Sequence, residues 1–544
     1  MTADLPLGRL ADWAVPSLIL LSLLISFAKY QRYPLLTPEV FLCAGALLVA
    51  GTGLCLLSWL RRESLYPLVL GLLILLFLDV KLHVLVLVMG GAAWVSPLLA
   101  PFLLLAAFFG FMFLVFALRR EIGRIAASAW GVILLATLLL PGDRIPDGEV
   151  FVREARPIQD LPLLLHLILD EHVGVAGIPA DLPDGRELQE HLVAGLSESG
   201  FEVYGRAFSQ YSESHLALAS LVNGEAFSTI PEYVAASGSG YSITRNDWLG
   251  SLSRAGYSVR VYQSGWIDFC RAQGFSADYC FVYPANGIGV LRDFDLSAWS
   301  KARLILPRIF EGTFDFFPGK PQLSSLSSPG VMERLAQDIA SHPRGTAFFV
   351  HLLWPHYAYA FDAQCALRPD VGTWANVGNI GAGKEEEFNS EEARELKYSL
   401  YFQQVRCVAK RLGDLIEQMG RAGSLSDSVI IVHGDHGSRL ASKAFRYVDP
   451  ADFGAADMSD HYSALMAVRM PQSSDEKAAG RYADLQESIQ AIFARRFLMR
   501  PLSGSGLEVF VRPSRNSATG APLLSRPMIE LPRADLPQSP GRTR

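Results

Sequence analysis

Five short stretches of this chain put acids, imidazoles and hydroxyls where they could do chemistry. In LHLILDEHVG an apolar run ends on Asp170 and Glu171. Two adjacent carboxylates at the end of an apolar strand are costly unless a cation neutralises them, and a divalent metal is the natural partner. A pair of solvated loop acids is the plainer alternative. In VIIVHGDHGSR, Asp435 and His436 follow another apolar run and Gly437 allows a tight turn. Carboxylate plus imidazole at a strand end is again metal-ligand chemistry. FFVHLLWPHYAY carries His351, read as a strand histidine with its partner nearby. It also carries His356, which follows Pro355 in a loop and is the better candidate for a substrate contact. His461 in DHYSALMAVRMP precedes one more apolar strand and is a candidate of the same kind. FSQYSESHLALASLVNG adds Ser212 and Ser214 just before a helix-like run from Leu216. A serine there can be no more than an N-cap. The same position favours an anionic substrate and a lowered nucleophile pKa, more so with a metal on its oxygen.

The elements that must position these residues alternate between strand and helix. Leu161–Leu169 is a nearly continuous apolar run, the mark of a strand buried on both faces. Tyr257–Tyr262, Ala347–Leu353 and Ser428–Val432 read as further strands. Glu187–Ser199 and the long Glu391–Met419 have helical spacing, the latter with Asn389 or Ser390 as N-cap. This alternation predicts a mainly parallel sheet with helices on both faces. Such sheets place their sites at the carboxyl ends of strands, where these acids and histidines fall. Lys477–Phe497 reads as one more helix, and Thr373–Phe388 as a surface loop. The division expected is a helical domain over 1–141, a linker over 142–160, an α/β domain over 161–511 and a disordered tail over 512–544.

The helical domain follows from composition. Half of the chain is hydrophobic and only 19% is charged, an apolar excess concentrated before Pro141. About five runs there approach the ~20 residues that cross a bilayer, roughly 11–28, 38–60, 65–88, 95–118 and 124–141. Asp79, Lys81 and His83 interrupt the third. The arginines 61, 62, 119, 120 and 124 follow the second and fourth runs, which predicts a cytoplasmic N-terminus and everything after Pro141 outside. A net charge of −6 gives no sign of nucleic-acid binding. Cys270, Cys280, Cys365 and Cys407 all lie in the part placed outside, and an even count there favours two disulfides over zinc, since no CxxC pair exists. Counting leaves their pairing undetermined.

The order of these motifs resembles the sulfatase and alkaline phosphatase superfamily: strand-end acids, a hydroxyl before a helix, a histidine-containing strand end, then Asp-His-Gly. Membrane spans before such a domain resemble its phosphoethanolamine transferase and lipoteichoic acid synthase branches. QYSESHLALASLVN, HLLWPHYAYAFD and DFCRAQGFSADYC look closest to sulfatase-like membrane proteins of bacteria. The resemblance implies an alkaline-phosphatase-like α/β domain, with Asp170 and Glu171 matching the acidic pair and Asp435 and His436 the second pair of metal ligands. It puts Ser214 at the nucleophile, His356 and His461 near histidines that hold the transferred group, and disulfides between Cys270 and Cys280 and between Cys365 and Cys407. One divalent ion is implied, with manganese or zinc favoured and magnesium or calcium also suited. Sulfatases need Pro two residues and Arg four residues after the nucleophile; here those positions are Leu216 and Leu218. Sulfate-ester hydrolysis is therefore the lesser alternative, with plain phosphodiester hydrolysis beside it. Phosphoryl-type transfer from a membrane lipid or lipid-linked donor to an envelope glycan, at the outer face of a bacterial inner membrane, is the expectation. An inactive ectodomain that binds a glycan or protein partner is the alternative of another class.

Overall fold

The computed structural model describes residues 7–31, 33–59, 65–82, 100–119, 121–139, 148–152, 161–223, 225–237, 240–284, 288–310, 323–375, 390–440, 454–471, 508–511 and 523–527. The chain forms two compact units. One comprises Met1–Ile145 with Ile288–Pro321, the other Pro146–Gly287 with Gln322–Arg544.

The first unit contains α1 (Leu7–Tyr30), α2 (Pro38–Trp59), α3 (Leu65–Leu82), α4 (Ala100–Ala117) and α5 (Ile122–Leu139). Each stands at one of the five expected spans. Two stretches, Pro38–Leu57 and Ile122–Leu139, are long and apolar enough to cross a membrane among the described residues. Ala14–Tyr30, Leu65–Leu78 and Leu105–Ala117 are shorter apolar stretches, so five full spans are not confirmed among the described residues. Large apolar side chains face outward on this unit, among them Val49 at 74% and Phe113 at 76% exposure. Lys29 closes the last turn of α5 by donating to the carbonyls of Thr137 and Leu138. The chain between Gly287 and Gln322, from the middle of the α/β sequence, belongs to this unit and contributes a further helix on α2, a grouping the sequence pattern gives no sign of.

The second unit is built on an eight-stranded sheet. Its strands are β1 (Gly148–Val152), β2 (Leu164–Leu169), β3 (Glu202–Val203), β4 (Ser258–Ser264), β5 (Tyr279–Tyr283), β6 (Thr346–Leu352), β7 (Val429–Gly434) and β8 (Met466–Arg469), in the order β1-β5-β4-β6-β2-β7-β8-β3. The five central strands β5, β4, β6, β2 and β7 run parallel, while β1, β8 and β3 join the sheet through antiparallel pairings. Every residue of β2, β6 and β7 is buried, as continuous apolar runs require when helices cover both faces. On one face α7 (Ser214–Asn223) and α8 (Asp247–Arg254) pack Leu218, Leu249 and Leu252 against Leu164, Ile168, Val261 and Phe349. A separate cluster joins α6 (Gly185–Glu198), through Leu188 and Leu192, to Tyr401 and Val405 of α11 (Glu391–Arg421). Ser390 is the N-cap of α11, its hydroxyl accepting from the Ala393 N–H at 3.2 Å.

Thr373–Ala375, inside the stretch read as a loop, belong to a short helix, Val371–Ala375. Asp370 accepts from the Gly372 N–H and Trp374 is fully buried, which supplies the ordering that composition hides. The rest of that loop and the expected helix Lys477–Phe497 lie outside the described residues. Leu524–Pro527, in the stretch read as a tail, pairs antiparallel with Glu508–Val511, and the neighbouring Leu523 is buried in the core. Cys270 is bonded to Cys280 and Cys365 to Cys407, both as the resemblance implies.

Candidate active site

Two strand ends meet at the carboxyl edge of the sheet. Leu169 of β2 lies in register with Gly434 of β7, so Asp170 and Asp435 leave the sheet side by side. The Asp170 N–H donates to the Leu352 carbonyl at 2.9 Å, which extends the ladder to β6 by one residue and fixes the carboxylate. The Glu171 N–H donates to Asp435 Oδ1 at 2.9 Å, which ties the two strand ends together. Tyr401 on α11 completes the turn, its hydroxyl donating to the Glu171 carbonyl at 2.7 Å and accepting from the Val173 N–H at 2.9 Å. Two glycines make the approach possible. A Cβ at Gly434 would lie 2.2 Å from the His172 carbonyl oxygen, and one at Gly437 2.0 Å from that of Asp460. The expected tight turn at Gly437 is therefore a demand of close backbone contact.

Ser214 is the first residue of α7 and is 5% exposed. Its Oγ lies 3.1 Å from His436 Nε2 and 3.4 Å from Asp170 Oδ1. The His436 Nδ1–H donates to the Gly437 carbonyl at 2.9 Å, an assignment made from its partner, so Nε2 carries the lone pair. That lone pair faces Asp435 Oδ2 at 3.3 Å and Asp170 Oδ1 at 4.0 Å. His351 adds a further donor, its Nε2 3.6 Å from Asp170 Oδ2. Neither ring nitrogen of His351 nor Oδ2 of Asp435 has a hydrogen-bond partner among the described residues, and both side chains are buried. Single ligand atoms of Asp170, His351 and Asp435 lie within 4.8 Å of one another. Buried electron donors that converge with nothing positive between them are the arrangement a divalent cation would neutralise, and the residues fit one.

Glu171 has a different environment. Arg439 donates to its Oε1 through both Nε, at 3.0 Å, and Nη2, while Nη1 reaches the Ser212 carbonyl at 3.3 Å. Glu171 and Arg439 both have positive φ, 62° and 55°, a backbone cost of order 1–3 kcal/mol each that the surrounding bonds must offset. Burial acts to raise the Glu171 carboxyl, yet the guanidinium of Arg439, with His356 and His436, outweighs it and holds the group below the usual range. At Asp435 burial is likewise overridden, by His436, His351 and the Glu171 N–H. Burial alone dominates at His172 and His433, whose imidazoles are pushed down to about 4.

His356 approaches Glu171 Oε1 to 3.6 Å through Nε2, while its Nδ1–H donates to the Tyr357 carbonyl at 2.6 Å. The side chains of Arg439 and His356 are 23% and 17% exposed, against 0% for Glu171, so the carboxylate is reached from the side of those two residues. His461 is buried in the last turn of α12 (Ala455–Tyr462), and its carbonyl accepts the Gly437 N–H at 3.0 Å. Ser212 contributes its carbonyl to Arg439.

The fold thus brings Ser214, Asp170, Glu171, Asp435, His436 and His356 to one place. The partner expected for His351 is Asp170, which draws that histidine into the acidic group. Arg439 went unassigned in the sequence. Its signal was a lone cation three residues after Asp-His.

No family model and no curated protein matches the chain. It is similar to several solved structures. The C-terminal periplasmic domain of EcEptC from Escherichia coli is 11% identical, with a TM-score of 0.38 over 70% of this chain and 96% of that one. The phosphonate monoester hydrolase of Agrobacterium radiobacter is 14% identical, with a TM-score of 0.36 over 57% and 68%. The candidate sulfatase yidJ of Bacteroides fragilis is 14% identical, with a TM-score of 0.36 over 66% and 83%. The chemistry below follows from the side chains of the site.

Proposed function

We propose that this chain is a membrane-bound, metal-dependent enzyme of the sulfatase and alkaline phosphatase type that transfers or hydrolyses phospho groups through Ser214. The observation that carries this is the position of Ser214 Oγ, at the start of a helix and within 3.4 Å of both His436 and Asp170. Asp170, His351, Asp435 and His436 are the residues that would hold a divalent ion, manganese or zinc before magnesium or calcium. Glu171, expected in that set from the sequence, stands beside it in its pair with Arg439. When bound, such an ion lowers the pKa of a nearby hydroxyl and neutralises charge on the transferring group.

Ser214 Oγ attacks phosphorus and the bond to the leaving oxygen breaks. The serine proton is released toward Asp170 Oδ1, the carboxylate oxygen within reach. The N–H groups of the first turn of α7 favour the anionic group at that end. His356, on the exposed side, is placed to protonate the leaving oxygen. A hydroxyl acceptor or water then attacks the phospho-substituted Ser214 and restores it. His461 is assigned to the wall that holds the transferred group.

A membrane lipid or lipid-linked donor and an envelope glycan acceptor suit an enzyme held at the outer face of a bacterial inner membrane. Five spans with the N-terminus inside would put the α/β unit in the periplasm or outside the cell. The outward-facing apolar side chains of α1–α5 and the arginine-rich loops support that topology. The absence of Pro and Arg after Ser214 favours phosphoryl transfer over sulfate-ester hydrolysis. Incubating the purified full chain with bacterial lipid extract and divalent metal should yield a phospho-adduct on Ser214 by mass spectrometry. Turnover without an adduct would point to direct hydrolysis, and neither would leave a binding ectodomain.

A further inference from the structure

The stretch Ile288–Phe310 comes from the middle of the α/β sequence but belongs to the helical unit. Its helix α9 (Ala298–Arg308) packs on α2, with the Cys43 thiol 3.7 Å from the Ala302 carbonyl oxygen. A Cβ at Gly289 would lie 3.2 Å from the Gln31 carbonyl oxygen. Both contacts are at one end of the helices, the first turns of α2 and the residues just before it. The chain leaves the α/β unit after Gly287 and returns at Gln322, and an 11-residue helix is too short to cross a bilayer in between. In the topology proposed above, the arginines that follow α2 put this end of it outside.

The helix divides into two faces. Ala302, Leu304, Ile305 and Arg308 are buried. Trp299, Arg303 and Pro307 recur every four residues as an exposed stripe, with Trp299 65% exposed. At the start of α2, close along the chain to Cys43, Leu36 and Phe41 are 85% and 60% exposed. Ile288–Phe310 carries four basic residues, Arg292, Lys301, Arg303 and Arg308, against two acids, Asp293 and Asp295. A short helix with tryptophan and arginine on its outer stripe, held at the end of a membrane helix, has the composition of an interfacial element, with its charge complementary to anionic head groups.

We propose that α9 is a lipid-contacting strap that lies in the outer-leaflet interface, with Trp299 at head-group depth and Arg303 on anionic phosphate. It rests on the membrane reading above and adds a second attachment to it, made by the middle of the chain. Its binding partner is the lipid surface itself.

The test uses the full chain in vesicles of phosphatidylethanolamine and phosphatidylglycerol. An environment-sensitive fluorophore is attached at Trp299→Cys or Arg303→Cys, with Phe41→Cys on α2 and Leu396→Cys on the exposed face of α11 for comparison; protein without an introduced cysteine gives the background. Lipids carrying a shallow spin label should quench the probes at 299 and 303, and leave the probe at 396 bright. Quenching at 41 with none at 299 and 303 would overturn the strap and leave the membrane reading standing. No quenching at 41 would overturn both. Arg303→Glu should reduce shallow quenching at 299 in anionic vesicles; unchanged quenching would remove the assigned role of Arg303. Because two adjacent stripe positions are probed separately, misfolding of the tryptophan variant does not decide the outcome.

Discussion

The two units treat water in opposite ways. In the helical unit large apolar side chains such as Val49 and Phe113 face outward, whereas the α/β unit buries acids and imidazoles at the end of its sheet. Each arrangement is costly in an ordinary soluble domain, and each points to what offsets it: lipid in one case, a cation and paired charges in the other. Departures from the usual burial rule therefore locate function more sharply than the apolar core does, since that core would look much the same in any doubly covered sheet.

Breaking the buried side of the comparison should have the largest effect. Ser214→Ala is expected to lower turnover by on the order of 10⁴-fold or more while thermal unfolding and membrane insertion stay near normal. Ser212→Ala, which keeps the carbonyl that Arg439 uses, should stay active. The reverse pattern would move the nucleophile by two residues, and activity in both would remove the phospho-serine step.

Arg439→Met should leave Glu171 buried without its guanidinium and cost about 3–5 kcal/mol in denaturant unfolding. A shift below ~0.5 kcal/mol would show that Glu171 is held by something else. The sign with pH follows from the depressed Glu171 pKa. The carboxyl is ionised in the fold at a pH where the unfolded chain is already protonated. The stability it contributes is full above the unfolded value of ~4.3 and is lost as pH falls through the folded one. The wild-type protein should lose that increment in acid and the Arg439→Met variant should not.

Replacing both Cys365 and Cys407 by serine reopens a separation of 42 residues and should cost about 4 kcal/mol, against about 3 kcal/mol for the separation of 10 between Cys270 and Cys280. Equal losses would argue that local packing, rather than chain entropy, sets the effect.

The smallest effect sharpens the comparison most directly. Val49→Lys, near the middle of α2, should cost about 2.5–3.5 kcal/mol in membrane insertion. The same change at Leu396, 46% exposed on α11, should stay within about 0.5 kcal/mol. Similar costs at the two positions would mean that the outward apolar face of α2 does not meet lipid.

Much of the α/β fold was legible because its signals are local. The apolar runs that became β2, β6 and β7 were read from a handful of neighbouring residues, and the N-cap of α11 was narrowed to Asn389 or Ser390 before a periodic stretch. The tail strand Leu524–Pro527 was not legible, since it depends on a partner strand and on Leu523 reaching a distant core. The helix at Val371–Ala375 was hidden among glycines because its stability comes from burying Trp374.

The same divide runs through the site. Sequence alone determined that Asp170 and Asp435 end apolar strands and that Ser212 and Ser214 come just before a helix-like run, because strand ends and helix starts are properties of a few consecutive residues. Only the tertiary structure decided which groups face one another. Glu171 and Arg439 are 268 positions apart, and Ser214 and His436 222. The difference between His351 inside the acidic group and His356 at its rim depends on which neighbouring strand end each one reaches. The return of α9 to α2 is of the same kind. Propensity and period act over one turn or one pleat, whereas the neutralisation of a buried charge is settled by whichever distant residue the packed fold delivers to it.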